Sequence, residues 1–207
     1  MIVNNSRIKG LVTFAYALSD NIFSNKEIDK ILNYIENNKK MEDGNLSGGD
    51  VDHSIRTSLV QFFYPDSENI WFFEKFNDYL NYVNNTYYNF DLWGYDFIQY
   101  AEYLHTNNGK YDYHTDMLTT DINQYNKGIF NLGTRKLSAT ILLSDPETDF
   151  SGGEFQITTS SESMSETINA KKGSVIVFPS FFLHRVKPVI TGTRKSITAW
   201  ITGPKFR

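Results

Sequence analysis

Two short groups of residues could together hold a metal ion and an anion. His114 and Asp116 are separated by one residue, and His184 is followed ten positions later by Arg194. In an extended segment, residues i and i+2 point to the same face, so His114 and Asp116 can offer an imidazole and a carboxylate to one ion. With His184 brought in from a distant strand, the set occupies one face of an octahedral metal and leaves the other face open. Such a site suits non-haem Fe(II) that binds O2 and a co-substrate, whose far carboxylate Arg194 would clamp.

Asp112 is a competing carboxylate, because it lies two residues before His114. By strand alternation it would face the same way as Asp116, and spacing alone does not choose between the two. The other histidines, His53 and His105, have no partner pattern. We expect them at the surface or behind the ligands.

The region before these groups is predicted to be helical. Apolar residues recur at helical spacing over 24–37 and 67–85, and the two helices flank a polar, Gly-containing loop at 41–54. Ser24 and Glu27 match a capping box at the start of the first helix. The apolar run Val12 to Leu18 is expected to form a strand rather than a secretory signal, since it leads directly into that capping box.

From Phe97 onward, short β-rich runs alternate with Gly, Pro and Asn turn signals. The predicted strands are 97–104, 136–143, 153–158, 174–178, 184–190 and 194–202. Their spacing predicts an antiparallel jelly-roll. The loop 117–135 between two of them is long for a connection, and such loops are either functional lids or disordered. We expect it to lie near the metal and to shape substrate access.

The same motifs carry a family resemblance over roughly half of the chain, from about Phe97 to Pro204. In this order the chain resembles the Fe(II)/2-oxoglutarate-dependent dioxygenases, and within them the prolyl 4-hydroxylase-like branch. The matching segments are 109–116, 137–144, 151–155, 173–180, 184–189 and 192–200. The resemblance implies an α+β, mainly β fold, with a double-stranded β-helix (jelly-roll) core and N-terminal support helices.

The resemblance also assigns the site. The family's His-x-Asp order favours Asp116 over Asp112, so the implied metal ligands are His114, Asp116 and His184. The implied co-substrate-binding residues are Arg194, Tyr103, Ser196, Trp200, Val186 and Phe155. No catalytic residue beyond the metal site is implied.

Two of these assignments depend on local spacing. Strand alternation puts Ser196 on the face of Arg194, so its hydroxyl could contact the same carboxylate, while Lys195 points away. Five residues separate Tyr103 from Gly109, more than the family pattern has. A longer hairpin would explain the difference, but Tyr100 or Tyr111 could supply the hydroxyl instead.

The reaction implied by the resemblance is oxidative hydroxylation of an unactivated C–H bond. The implied cofactors are Fe(II), with 2-oxoglutarate and O2 as co-substrates, and L-ascorbate as a further cofactor. A peptide or protein proline is the favoured substrate. The alternatives are a free amino acid or other small molecule, or a catalytically inactive jelly-roll binding module. Several aromatic residues could form a peptide groove or belong to the core: Phe62, Phe63, Tyr64, Trp93 and Tyr95.

Composition limits the other possibilities. The 207 residues, 40% of them hydrophobic, predict a single domain, 1–207, with a helical support region at 1–95 and a jelly-roll core at 96–207. The net charge of −4, without a Lys- or Arg-rich run, argues against nucleic acid as a partner. The absence of cysteine excludes disulfides and thiolate metal sites, and fits a cytoplasmic protein. No apolar stretch approaches the ~20 residues of a membrane span.

Overall fold

In the computed structural model, residues 15–44, 51–118 and 133–206 are described, and they form two antiparallel sheets with two helices. The helices are α1 (Asn25–Asn37) and α2 (Ile70–Val83), and a π-helical turn follows α2 at Asn84–Tyr88. The strands are β1 (Ala17–Ser19), β2 (Glu42–Asp43), β3 (Arg56–Thr57), β4 (Leu59–Phe62), β5 (Gly94–Leu104), β6 (Lys110–His114), β7 (Thr134–Leu142), β8 (Phe150–Gly152), β9 (Phe155–Thr158), β10 (Glu166–Ile168), β11 (Val175–Pro179), β12 (Leu183–Val186) and β13 (Val189–Gly203).

The larger sheet has the order β1-β11-β7-β13-β5-β4-β2, with β8 added at one end of β13, and the smaller sheet has the order β10-β9-β12-β6-β3. One hydrophobic cluster fills the space between the sheets, and another lies between the larger sheet and the helices. This arrangement is a jelly-roll with supporting helices, as the sequence predicted.

The two helices cover the outer face of the larger sheet. The predicted capping box is present at α1, where the Ser24 amide donates to Glu27 Oε2 at 2.8 Å and the Glu27 amide donates to Ser24 Oγ. The second helix begins at Ile70 rather than at 67, because Asp66 Oδ1 accepts from the amides of residues 68 and 69 in a local turn. None of the helices within the described ranges is both long and apolar enough to cross a membrane.

Alternation along the central strands sorts side chains between the two clusters. On β13, Ile197, Ala199 and Ile201 face the helices. The intervening residues, from Arg194 to Trp200 in steps of two, therefore face the smaller sheet. The β7 strand behaves likewise, and its Ser138 is turned toward the smaller sheet. The space between the sheets is thus lined by polar and aromatic groups on one wall.

The predicted strand 184–190 is wrong as a single element. The structure ends β12 at Val186 and begins β13 at Val189, because Pro188 has no amide to continue a ladder. The predicted first strand is present in part as β1, which pairs with β11. Three further strands, β2 to β4, come from the region predicted to be helical support, and β3 and β4 pair with β6 and β5. Residues 12–14 of the predicted first strand, and residues 119–132 of the predicted lid loop, lie outside the described residues.

Candidate metal and co-substrate site

Three potential ligands converge between the sheets. One ligand atom from each of His114, Asp116 and His184 lies within 4.8 Å of the others. His114 Nε2 is 3.6 Å from Asp116 Oδ1, and His184 Nε2 is 3.3 Å from Asp116 Oδ2. The two imidazoles come from directly paired positions of β6 and β12, which places them on the same face. All three predicted ligands are therefore brought together.

Backbone carbonyls orient both imidazoles. His114 Nδ1 lies 2.7 Å from the carbonyl oxygen of Asp112, and His184 Nδ1 lies 2.9 Å from that of Phe182. Because a carbonyl only accepts, Nδ1 carries the proton in each ring and donates it. Nε2 is then the bare nitrogen turned toward Asp116. This is the tautomer that binds a metal, and the donor set of two nitrogens and one carboxylate fits Fe(II).

Asp116 is held from the side of the larger sheet, by Ser138 of β7 and by Ser180, the residue that follows β11. Its amide donates to the Ser180 carbonyl at 2.9 Å, and Ser138 Oγ donates to its Oδ2 at 2.7 Å. Ser138 and Ser180 hydroxyls are also hydrogen-bonded to each other, at 3.0 Å. The carboxylate thus has a fixed orientation before any metal binds.

Electrostatics keep His114 and Asp116 in their metal-binding protonation states. Burial, reinforced by the neighbouring His184, lowers the pKa of His114 to about 3. Burial alone would raise the pKa of Asp116, but the two adjacent histidines and the hydrogen bond from Ser138 outweigh it, and the pKa falls well below its usual value. At neutral pH the site therefore presents a neutral His114 imidazole and a carboxylate, and neither must release a proton to bind a metal.

A β-bulge in β6 makes the expectation that Asp112 faces the same way as Asp116 wrong. His184 pairs with His114, but Val186 pairs with Tyr111, so one extra residue is accommodated in β6 between these pairs. The bulge interrupts the alternation, and Asp112 is exposed, with its carboxylate 4.0 Å from Arg185 Nη1. It also places Tyr111 on the His114 side, where the two rings stack at 3.5 Å. The choice of Asp116 over Asp112 agrees with this geometry.

Arg194 lies in the same cavity as the ligands and is 3% exposed. Its Nη1 donates to Ser196 Oγ at 3.0 Å, and its guanidinium is 5.4 Å from the centre of the Tyr103 ring. Burial lowers its pKa. No carboxylate of the described residues forms an ion pair with this guanidinium. Lys195 points to the other side of the sheet as predicted, 4.0 Å from Glu102.

The three tyrosines considered as co-substrate contacts lie on different sides of the larger sheet. Tyr103 and Tyr111 both line the cavity. Tyr100 does not: it packs in the helix-side cluster and donates its hydroxyl to Glu102 Oε1 at 2.7 Å. The suggestion of Tyr100 as a co-substrate contact is therefore wrong, because strand alternation turns it away from the space between the sheets.

The remaining predicted residues also line the cavity. Phe155 lies 5.6 Å from the His184 ring, and Val186 and Trp200 are likewise buried in the cavity wall. Trp200 Nε1 is a buried donor without a hydrogen-bond partner in the part of the chain that the structure describes. Arg135 stacks on the Trp200 ring, with its guanidinium 4.6 Å from the ring centre.

Sequence reasoning missed Arg56 and Gln99. Arg56 is buried in the cavity wall, where it donates to Gln99 Oε1 at 2.8 Å and stacks on Tyr111 at 4.6 Å. It belongs to a two-residue strand in the region assigned to support, and no motif marks it. For Gln99, alternation from Tyr103 along β5 was a usable signal.

Other candidates lie away from the metal. His53 is exposed, and so is His105, whose Nδ1 is 3.0 Å from the Gly192 carbonyl. Among the aromatic residues proposed for a groove, Phe63 and Tyr95 pack in the helix-side core. The other three are exposed: Phe62, Tyr64 and Trp93.

Comparisons with known proteins agree with this geometry. Residues 98–202, just over half of the chain, match the family model described as the 2OG-Fe(II) oxygenase superfamily. A PKHD-type hydroxylase of Colwellia psychrerythraea is 42% identical over 65 residues, which cover 31% of this chain and 28% of that protein. A PKHD-type hydroxylase of a Synechococcus species is 37% identical over 93 residues, which cover 45% of this chain and 36% of that protein. The match thus spans about a third of these relatives.

Solved structures share the fold over nearly the whole chain. A prolyl-4-hydroxylase of Pseudomonas putida superposes with a TM-score of 0.71 at 17% identity, covering 97% of this chain and 98% of that one. A prolyl hydroxylase of Trichoplax adhaerens, in complex with a hypoxia inducible factor peptide fragment, gives 0.72 at 18% identity, covering 96% and 88%. These likenesses show the shared fold. The family match, which spans the ligand-bearing strands, identifies the chain as a member of the 2OG-Fe(II) oxygenase superfamily.

Proposed function

We propose that this protein is an Fe(II)- and 2-oxoglutarate-dependent hydroxylase that acts on proline in a peptide or protein. One observation carries the proposal: three metal ligands and a buried arginine without an acidic partner among the described residues face the same cavity. A metal site alone would leave Arg194 without a role. A guanidinium buried beside a metal instead fits a co-substrate that chelates the ion at one end and carries a carboxylate at the other.

Each group in the cavity has a defined task in this proposal. His114, Asp116 and His184 would hold Fe(II), which when bound supplies the oxidative chemistry with O2 and 2-oxoglutarate. Arg194 and Ser196 would bind the distal carboxylate of 2-oxoglutarate, with the Tyr103 hydroxyl beside them. The buried side chains of Phe155 and Val186 exclude water from the co-substrate. No side chain is required as an acid or base, and L-ascorbate is proposed as a further cofactor.

Support for a peptide substrate comes from the cavity's polar wall. The Trp200 indole N–H is a buried donor without a hydrogen-bond acceptor among the described residues. A carbonyl of a bound peptide could accept this hydrogen bond. Arg56 and Gln99 add further polar groups to the same wall. Beside them, exposed Phe62 and Phe97 form an edge-to-face pair with ring centres 5.4 Å apart. This combination suits an extended segment with an apolar side chain.

The test is turnover by the purified protein with Fe(II), 2-oxoglutarate and O2. Proline-containing peptides, matched peptides with alanine in place of proline, and free amino acids are compared by succinate release and by the gain of one oxygen atom in the substrate. We expect stimulated succinate release and oxygen gain with proline peptides alone. Succinate release stimulated by a free amino acid would mean that the substrate is an amino acid and not a peptide. No succinate release under any condition would favour a binding module without activity.

A further inference from the structure

Phe206 follows the last strand and belongs to a small aromatic cluster next to the start of β7. The cluster consists of Phe90, Phe181 and Phe206. The Phe206 ring meets the rings of Phe90 and Phe181 edge-to-face, with ring centres 5.8 Å apart in both cases. Phe206 is 46% exposed, so it buries too little surface to be a main part of the core. Its role therefore depends on what it contacts.

The face of the Phe206 ring covers the ammonium of Lys136. Lys136 Nζ lies 3.4 Å from the centre of that ring and 5.9 Å from the centre of the Phe90 ring. Lys136 is 5% exposed, and its ammonium forms no hydrogen bond or ion pair with the described residues. Burial lowers its pKa, an effect that Asp91 partly offsets. Because aromatic faces stabilise such a cation, the Phe206 ring fixes where the ammonium lies.

The end of β13 directs the chain toward this lysine. An added Cβ at Gly203 would come within 3.2 Å of Lys136 Cγ and 2.0 Å of the Asp91 carbonyl oxygen. A residue without a Cβ permits this close approach of the backbone. The chain therefore leaves β13 directly against the stem of Lys136, and Phe206, three residues later, reaches the ammonium.

Lys136 lies next to the groups that hold Asp116. The Ser180 amide donates to the Lys136 carbonyl at 3.0 Å, and the Ser180 carbonyl accepts from the Asp116 amide at 2.9 Å. Ser138, two residues after Lys136 on β7, donates to Asp116 Oδ2 at 2.7 Å. A shift of Lys136 would therefore move both supports of the carboxylate.

Phe181 makes the corresponding link to His184. It precedes Phe182, whose carbonyl oxygen lies 2.9 Å from His184 Nδ1. The rings of Phe181 and Phe182 are in edge-to-face contact, with centres 4.8 Å apart. Phe206 thus packs against residues that adjoin the supports of two of the three proposed metal ligands.

We propose that Phe206 is a positioning residue that keeps Asp116 and His184 in their metal-binding orientation. It acts through the two residues that it contacts, Lys136 and Phe181. The inference rests on the proposed metal ligands, and Phe206 is not one of them. Loss of a group bonded directly to a ligand typically costs about 10–100-fold in metal affinity. The expected loss here is smaller, because Phe206 contacts neighbours of those groups.

The experiment is anaerobic titration calorimetry of the metal-free protein with Fe(II). Phe206→Ala should weaken Fe(II) binding by about three- to tenfold, and Phe206→Tyr, which retains the ring, should restore the wild-type affinity. Lys205→Ala, at the exposed neighbouring position, is the matched control and should leave the affinity unchanged. Urea unfolding of the metal-free variants is measured in parallel. A merely structural role would lower stability without changing Fe(II) affinity, and Phe206→Leu replaces Phe206→Ala if the latter does not fold.

Wild-type Fe(II) affinity in Phe206→Ala, or an equal loss in Phe206→Tyr, would overturn the inference and leave the proposed function standing. No Fe(II) binding by the wild type would instead overturn the proposed metal ligands, and the inference with them.

A double-mutant cycle tests the lysine as the link. Lys136→Met keeps the apolar stem and removes the ammonium. The double variant of Phe206→Ala and Lys136→Met should lose less Fe(II) affinity than the product of the two single losses, because both remove the same contact. A loss equal to that product would exclude Lys136 as the link between Phe206 and the metal ligands.

Discussion

His114 and His184 sit directly opposite each other on antiparallel strands, with ring centres 4.2 Å apart. Cross-strand pairing fixes their separation more firmly than two loops could, because the register of β6 and β12 sets the positions of both backbones. The third ligand, Asp116, lies just beyond the end of β6 and is anchored by the larger sheet. The metal site therefore joins the two sheets.

The first prediction concerns the metal. His184→Ala should abolish iron-dependent turnover and weaken Fe(II) binding, because two ligands do not complete the facial set. Zn(II), Co(II) and Ni(II) should compete for the wild-type site and inhibit. His105→Ala is the control, since that histidine is exposed and distant from the ligands. Succinate release and metal titration provide the measurements, and full turnover by His184→Ala would refute the iron site.

The second prediction distinguishes the binding of 2-oxoglutarate from the binding of Fe(II). Arg194→Ala should weaken 2-oxoglutarate binding by the cost of an unpaired buried charge, roughly 2–5 kcal/mol. At about 1.4 kcal/mol per tenfold, that is on the order of 30- to several-thousand-fold. Fe(II) affinity without co-substrate should barely change. Lys195→Ala, which removes the neighbouring cation on the opposite face, should leave both affinities intact. Unchanged 2-oxoglutarate affinity in Arg194→Ala would exclude the arginine as the carboxylate partner.

The third prediction tests the support of Asp116. Ser138→Ala removes the hydroxyl that donates to Asp116 Oδ2 and should lower Fe(II) affinity by about 10–100-fold, the usual effect of losing a group that orients a ligand. Ser151→Ala, on an exposed strand, is the comparison. Metal titration reports the effect, and thermal unfolding of the metal-free proteins shows whether the variant is folded. Wild-type metal affinity in Ser138→Ala would mean that the backbone alone holds the carboxylate.

The fourth prediction concerns Gly153, which has φ +61° beside Arg194. Gly153→Ala should destabilise the fold by on the order of 1–2 kcal/mol, because residues with a Cβ disfavour this conformation. It should also weaken 2-oxoglutarate binding, since the new methyl group meets the arginine stem. Gly94→Ala, at φ +152° with no atom within 4 Å of an added Cβ, controls for backbone strain alone. Equal 2-oxoglutarate affinity in the two variants would contradict the contact.

The fifth prediction is a pH dependence of stability. Hydrogen bonding from Lys75 lowers the pKa of Glu27 to about 2, and the ammonium lies 2.6 Å from the carboxylate. A depressed folded pKa contributes stability above the unfolded value of 4.5, and this contribution is lost as pH falls from there toward 2. Both side chains are partly exposed, so the pair contributes only about 0.2–1 kcal/mol.

Glu27→Gln retains the capping box and removes the charge. Urea unfolding should show a deficit for this variant at about pH 7 that shrinks at about pH 3, where the wild type has begun to lose the contribution. A deficit of equal size at both pH values would show that the charge is not its cause. Glu36→Gln, at an exposed ion pair on the same helix, serves as the matched comparison.

The residues proposed to bind the metal and the co-substrate were more predictable from the sequence than the other residues that line their cavity. Alternation along β13 correctly placed Ser196 with Arg194 and turned Lys195 away, because a long, central, paired strand leaves no freedom of register. The bulge in β6 was not predictable, since nothing in its residues marks an extra position, and Asp112 was therefore expected on the wrong face. Arg56 was missed because a two-residue strand has no periodicity, and only pairing with β6 brings it to the cavity.

The contribution of the N-terminal strands has a practical consequence for dissecting the molecule. A fragment limited to the family-matched residues 98–202 would lose β1, β3 and β4, the partners of β11, β6 and β5. Each newly bare edge would offer unpaired amides and carbonyls, which invite self-association. The hydrophobic outer face of the larger sheet would also be uncovered without its helices. Aggregation of such a fragment would therefore result from the loss of the N-terminal strands and helices, and would not indicate a defect in the metal-binding strands.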